Sequence, residues 1–414
     1  MKILILLIWG CIIYNIIKTK LFIKDYKKHN KNIDNVKSYY KDIIIVIPVL
    51  REQNCIYDTI KYFRSIENNI PIVIVTTEKE IFENINDETT TQEIIKSKIL
   101  NKFDNVYTIN YPKTSGYMAH QLNYMIDNIN NIFKKEINLE DTYIALYNAD
   151  SRPNKNTFKK VNGLIKQGNK VIQQYSYCMK NYSDLNGILK GFAFYQSVFE
   201  INKGLINASY KNNFLYKYVV GHGLIINFKT LKKLGDFNTN FWCEDMYLTL
   251  QLKIKDIKIV PLMCLENIET PNSLEKLIKQ NAVWFKTTSD YYKMYKDILK
   301  KHKVSNSLNG ILGVFNEFYC TIKWLLTPIV IFLISLYLIL VGNYIECIEF
   351  IVSIITFNIV NLINTIKIIN MLDEQKYKIN FSMIYNFLCA NCISNIGPLY
   401  SIFMNKKEKY KTER

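Results

Sequence analysis

Apolar residues gather at the two ends of the chain and break into short runs between them. Met1 to Ile17 is almost wholly apolar, Lys18 to about Ser307 mixes polar and apolar positions as soluble domains do, and long apolar runs return from Gly310. Within the mixed stretch, IIIVIPV (43–49), IPIVIVTT (70–77), NVYTINY (105–111) and YIALYNAD (143–150) have the length and β-branched content of strands. Helical patterns at 55–68 and 117–135 fall between them and predict crossovers. This alternation predicts an α/β domain with a mainly parallel sheet covered by helices on both faces. Further strands are expected at VIQQYSY (171–177), GLIINF (223–228) and IKIVPL (257–262). In such a sheet, ligands lie beyond the carboxyl ends of the strands.

The end segments point to a membrane. The first apolar run passes straight into lysines with no small-x-small cleavage site, which predicts a retained anchor rather than a removed signal. Residues 322–341 and 344–366 each have the length of a spanning helix and predict a hairpin. Residues 381–404 carry Asn386, Asn391, Asn395, Gly397 and Pro398 among apolar neighbours, which suits a re-entrant or interfacial segment better than a third crossing. The expected division is an anchor at 1–20, a basic juxtamembrane linker at 21–41, an α/β domain at 42–300, an amphipathic interface segment at 301–320, membrane segments at 321–404 and a basic tail at 405–414. Lysines crowd the linker, the 367–378 loop and the tail, and the positive-inside tendency puts all three, with the domain, on the cytoplasmic side of the cell membrane.

Composition narrows the partners. At 49% hydrophobic and 21% charged residues the chain is not a disordered one. Its net charge of +17 comes with no nucleic-acid-binding motif, and many lysines flank apolar segments, so anionic lipid headgroups are the expected counter-charge and no nucleic acid is. Nine scattered cysteines, an odd number, do not form a disulfide framework, and Cys389-x-x-Cys392 lacks the second pair a zinc site requires.

Three groups of residues could carry chemistry. Asn148-Ala149-Asp150-Ser151-Arg152-Pro153 ends the fourth strand, where Asp150 could hold a hard divalent cation shared with a diphosphate; an Asx-type turn explains the same residues. Trp242-Cys243-Glu244-Asp245 follows Gly221-His222-Gly223 and opens a helical stretch, so Asp245 reads as a general base, or the acidic pair simply complements the helix N-terminus. The glycines of 221–223 allow close backbone approach, and His222 is either a hydroxyl donor or a buried structural histidine. Gln280-Asn281-Ala282-Val283-Trp284 offers Trp284 as an apolar platform or as core.

In order along the chain, these pieces resemble the membrane-bound inverting glycosyltransferases of family 2, over roughly residues 42–284. IVIPVLRE (45–52) resembles the opening strand and turn of the nucleotide pocket, Thr76-Thr77-Glu78 the acidic end of the second strand, and GYMAHQLN (116–123) the segment before the helix that precedes the metal motif. Asn148-Ala149-Asp150 is similar to the Asp-x-Asp motif with its first Asp replaced, and Glu244-Asp245 to the acceptor-activating pair. Gln280 and Trp284 match the ends of Gln-x-x-Arg-Trp, with Val283 in place of the Arg.

The resemblance implies a GT-A-like mainly parallel sheet with transmembrane helices at both ends, and transfer of a sugar from a nucleotide-diphosphate sugar, UDP-sugars foremost, to a lipid-linked or polysaccharide acceptor. Pro48, Glu52, Glu78, Asn148 and Asp150 would bind the donor. Gly221, His222, Gly223, Glu244, Gln280 and Trp284 would bind the acceptor, Asp245 would be the base, and Asp150 would hold Mg²⁺ or Mn²⁺. The implied setting is cell-surface or capsular polysaccharide synthesis. The Asn148 and Val283 departures leave a catalytically weakened scaffold or regulator of a synthase complex as the rival, and a lipid-headgroup-binding module as a second.

Overall fold

The computed structural model describes residues 1–30, 43–84, 89–210, 217–305 and 307–404. Most of the linker expected at 21–41 and the basic tail at 405–414 lie outside these residues. The strands are β1 (Ile43–Pro48), β2 (Ile72–Thr77), β3 (Val106–Tyr111), β4 (Tyr143–Leu146), β5 (Arg152–Pro153), β6 (Val171–Gln173), β7 (Ser176–Tyr177), β8 (Leu224–Asn227), β9 (Ile259–Pro261) and β10 (Glu266–Asn267). Seven of them form one sheet in the order β3-β2-β1-β4-β8-β6-β9. β3, β2, β1 and β4 are parallel, while β8 runs antiparallel to both β4 and β6.

Period-two alternation sorts the β1 side chains onto two cores. Ile43, Ile45 and Ile47 pack with Ile56, Ile60 and Phe63 of the Ile56–Ile66 helix and with Phe158 and Val161 of the Thr157–Lys166 helix. On the other face, Ile44 and Val46 meet Leu122 and Met125 of the Met118–Asp127 helix and Leu248 and Leu252 of the Glu244–Ile254 helix. Both faces are thus covered, and the strands read as apolar runs for that reason. Residues 171–177, expected as one strand, divide: β6 stays in the main sheet, and β7 joins β5 and β10 in a three-stranded sheet ordered β5-β10-β7.

Three helices, Lys2–Asn30, Leu308–Leu340 and Tyr344–Leu372, contain stretches long and apolar enough to cross a membrane. Ile5, Leu338 and Phe350 join them in one apolar cluster. The interface segment expected near 310–319 is no separate element; it forms the first turns of the Leu308–Leu340 helix, with Gly313 close against Leu250 and Lys253. Residues 381–404 form two short helices, Phe381–Cys392 and Ile396–Phe403, neither long enough to span a bilayer core. They lie on domain helices instead, Gly191 facing Asn386 and Gly397 facing Asn281. The last turns of Tyr344–Leu372 also enter the domain, where Leu362, Ile366, Ile369 and Leu372 pack with Tyr175, Tyr177 and Phe194. No disulfide joins any of the nine cysteines.

Candidate active site

The chain runs outward from β1 through β2 to β3 and then returns to place β4 on the other side of β1. That reversal is the switch point at which open α/β sheets leave a crevice beyond the strand ends. Pro48 closes β1, and Asn148 to Asp150 follow β4 there. The β4–β8 ladder ends with Leu146 opposite Leu224. Because β8 is antiparallel, Gly221, His222 and Gly223 enter the sheet at the same edge that Asn148 leaves.

Around Asp150 the turn expected from sequence is present. The Asn148 amide donates to Ser151 Oγ at 2.9 Å, and the Ser151 amide to the Asn148 carbonyl at 3.2 Å. Asp150 is fully buried, and its Oδ2 accepts from the Glu269 amide at 3.2 Å. Arg152 donates to Thr59 Oγ1 and stacks 5.2 Å over the Tyr62 ring, bracing the turn against the Ile56–Ile66 helix.

Glu244 and Asp245 open the Glu244–Ile254 helix, so the N-terminal dipole accounts for acidic residues there. Asp245 does more than complement it. Its Oδ2 accepts from the Gly221 amide at 3.1 Å and its Oδ1 from the Met246 amide at 2.8 Å. A Cβ on Gly221 would lie 3.4 Å from Glu244 Oε1 and 3.7 Å from Asp245 Oδ2, so the glycine loop and both carboxylates are packed together.

His222 stands in a polar group at the same edge. Its Nδ1 lies 3.1 Å from Oε2 of Glu266, which belongs to β10 and is fully buried. Gly223 makes the approach possible: its φ is +61°, and a Cβ would fall 2.4 Å from the Gln174 carbonyl and 2.9 Å from Glu266 Oε2. Burial disfavours the charged imidazole, but Glu266, with Glu200 and Asp150 behind it, outweighs burial and lifts His222 to about 9. Glu200 opens a π-helical turn, Glu200–Leu205, and burial pushes its carboxyl up to about 7 although His222 and the Tyr218 hydroxyl pull it down. Glu266 Oε1, Glu200 Oε2 and Ser176 Oγ are buried with no hydrogen-bond partner among the described residues.

The other expected site residues have partners of their own. Glu78 accepts from Asn110 Nδ2 at the β2–β3 side of the edge. Glu52 is buried at the turn after β1, where its amide donates to Thr91 Oγ1 at 2.7 Å and its carboxylate accepts from Cys55 Sγ at 3.2 Å. Gln121 of the GYMAHQLN segment donates to the Val49 and Val75 carbonyls, and Asn123 bonds the Phe237 backbone in both directions. Those two residues therefore hold strand ends and the loop before Trp242. Gln280, on the Leu274–Thr287 helix, accepts from Gln196 of the Gly187–Phe199 helix, and Trp284, one turn on, is 47% exposed and not core.

Glu266, Glu200 and Ser176 were not singled out in sequence. Glu266 had one available signal, a carboxylate following the apolar run 257–265, but its pairing with residues far away in the chain gives no local pattern. Among the described residues, no three His, Cys, Asp or Glu side chains form a group that could hold a metal ion.

No protein-family model and no curated protein matches the sequence. Among solved structures the chain is similar, with a TM-score of 0.48 and 9% identity over 98% of this chain and 100% of the other, to the mannosyltransferase PcManGT from Pyrobaculum calidifontis in complex with GDP-Man and Mn²⁺.

Proposed function

We propose that the protein is a membrane-bound glycosyltransferase that moves a sugar from a nucleotide-diphosphate donor to an acceptor hydroxyl, inverting the anomeric carbon. The observation that carries this reading is the convergence of Asn148–Asp150, Gly221–Gly223 and Asp245, distant in sequence, on one edge at the β1–β4 switch point. The mainly parallel sheet supports the GT-A-like reading, and the three long apolar helices support an acceptor that is itself lipid-linked or a growing polysaccharide.

In this mechanism Asp245 removes the proton from the acceptor hydroxyl as the oxygen attacks the anomeric carbon from the side opposite the diphosphate. The Gly221 and Met246 amides fix the two carboxylate oxygens. Leaving-group charge is the other demand, since the sugar–phosphate bond breaks through an oxocarbenium-like state. One buried carboxylate with no three-residue metal group beside it fits a divalent cation only when phosphate oxygens complete the coordination, which is how Mg²⁺ is usually held. Asp150 would hold such an ion, Mg²⁺ or Mn²⁺, and the ion would offset charge on the departing diphosphate.

Pro48 and Glu78 are assigned to the nucleotide end of the crevice and Trp284 to the acceptor. Replacement of the first metal-motif Asp by Asn148, together with the burial of Asp150, favours the second reading, a scaffold of a synthase complex.

Nucleoside diphosphate release by detergent-solubilised protein, across UDP-, GDP- and dTDP-sugars with a membrane lipid extract as acceptor, separates the two. Transfer predicts release with one donor, reduced about 10²–10⁴-fold in Asp245→Asn and lost in Asp150→Ala. Absence of release with every donor would reject the transferase in favour of the scaffold.

A further inference from the structure

The structure leaves His222 and two carboxylates, the buried Glu266 and the half-buried Glu200, at the strand-end group with no part in the mechanism above. We propose that Glu266 is a positioning residue for His222, holding the imidazole through Nδ1 so that its Nε2–H is presented to the diphosphate of the donor. This rests on the nucleotide-sugar reading of the site and adds to it a protein-borne positive charge.

Four observations carry it. A carboxylate only accepts, so Oε2 of Glu266 at 3.1 Å requires the proton on Nδ1 and fixes the ring's orientation. Nε2 has no hydrogen-bond partner among the described residues, and the His222 side chain keeps 13% of its surface exposed. The chain adopts a left-handed residue, Gly223, where any side chain would strike Glu266 or the Gln174 carbonyl; the pairing is built into the backbone. His222 also enters the sheet at the edge where Asn148 leaves it, at the switch point, where a donor diphosphate would lie.

The charge state follows from the surroundings. The groups that bear on the ring are Glu266 from β10, Glu200 from the π-helical turn and Asp150 from the turn after β4, all carboxylates. Burial opposes the charge, but together these groups keep the imidazole protonated at neutral pH. The His222 imidazolium is thus a cation already in place at the strand-end group.

The test uses the full chain in detergent and two probes, inorganic pyrophosphate and UDP, with binding measured calorimetrically at pH 7 in EDTA, so that no divalent cation contributes. His222→Gln is expected to weaken both probes about tenfold or more, as befits a lost hydrogen bond between charged groups. Glu266→Gln is expected to weaken them too, and to move the titration of the His222 ring, followed by NMR of labelled histidine, down toward 6.5. The chain has only four histidines, and His222→Gln identifies the resonance. In turnover, both variants raise KM for the donor more than they lower kcat.

Equal affinity of folded wild type and His222→Gln for both probes overturns the proposal, as does failure of the wild type to bind either. If Glu266→Gln does not fold, His222→Gln decides alone. Diphosphate binding that depends on His222 without turnover of any sugar donor supports this site while rejecting the transferase. Turnover that is indifferent to His222 does the reverse.

Discussion

Gly191 provides a test of packing in which the sign of the effect decides. It lies inside the Gly187–Phe199 helix, where Ala is ordinarily favoured over Gly by about 1 kcal/mol. Here a Cβ would stand 2.0 Å from the Asn386 carbonyl oxygen, 2.6 Å from its carbon and 3.0 Å from Ala390 Cβ. The obstacle is the backbone of the Phe381–Cys392 helix, which cannot rotate aside as a side chain would. That helix must withdraw by well over an ångström, loosening Phe387 and Met383 from Phe194, and Ala390 from Leu189. Overpacking of this kind costs roughly 1–3 kcal/mol, and collision with backbone belongs at the upper end. Subtracting the propensity gain leaves a net loss of about 1–2 kcal/mol for Gly191→Ala, a fall of roughly 2–6 °C in apparent Tm for a chain this large. Thermal unfolding of the detergent-solubilised protein, followed by tryptophan fluorescence, measures it. Gly10→Ala, where a Cβ meets nothing within 4 Å, is the control and should not lower Tm. A Gly191→Ala protein as stable as its parent, or more so, would refute the close helix crossing.

Two further outcomes follow from the site. The His222 pKa is raised from 6.5 to about 9, so its contribution to stability is fully present below 6.5 and is lost as pH rises through about 9. Glu200, raised from 4.5 to about 7, removes stability in a lower window, between those two values. The fall in Tm from pH 7 to 9.5 should therefore be smaller in His222→Gln than in the wild type, and an equal fall in both would show that the pairing with Glu266 is not what holds the proton. Trp284, being 47% exposed, should tolerate replacement by Ala with stability changed by no more than about 0.5 kcal/mol, while KM for the acceptor rises; unchanged acceptor kinetics would remove it from the site.

The main sheet was legible in the chain because its strands are buried on both faces. Runs such as 43–49 and 70–77 are continuous in Ile and Val, and the observed β1 and β2 fall inside them. The two crossover helices were legible from their spacing, although 117–135 breaks at Asn128 into two. What sequence did not reveal was decided by long-range pairing. Two-residue strands such as β5 and β10 have no periodicity of their own, and the small sheet exists only because Glu266 finds Pro153 and Ser176. The Glu266–His222 contact is hidden for the same reason. Asp150, Gly221 and Asp245 could be singled out because turn and helix-start chemistry is local, and local chemistry leaves a mark on neighbouring residues. Sequence could not show which of their two explanations holds, since a turn aspartate and a ligand aspartate read alike. The Asn148–Ser151 turn and the Asp245–Gly221 bond show that the local backbone role is present at both places.

The end of the Tyr344–Leu372 helix bears on how the protein can be handled. Its final turns wall the cluster around Tyr175, Tyr177 and Phe194, and just past them Asp373 accepts from Asn154 and Tyr177 while Glu374 pairs with Lys155 at 3.0 Å. These contacts fasten the helix to the strand segments that carry the small sheet. A fragment stopping before Leu308 would therefore lack one side of its own interior and expose aromatic rings to water. Trimming away the apolar helices removes part of the α/β domain's own core, so a folded protein calls for the whole chain.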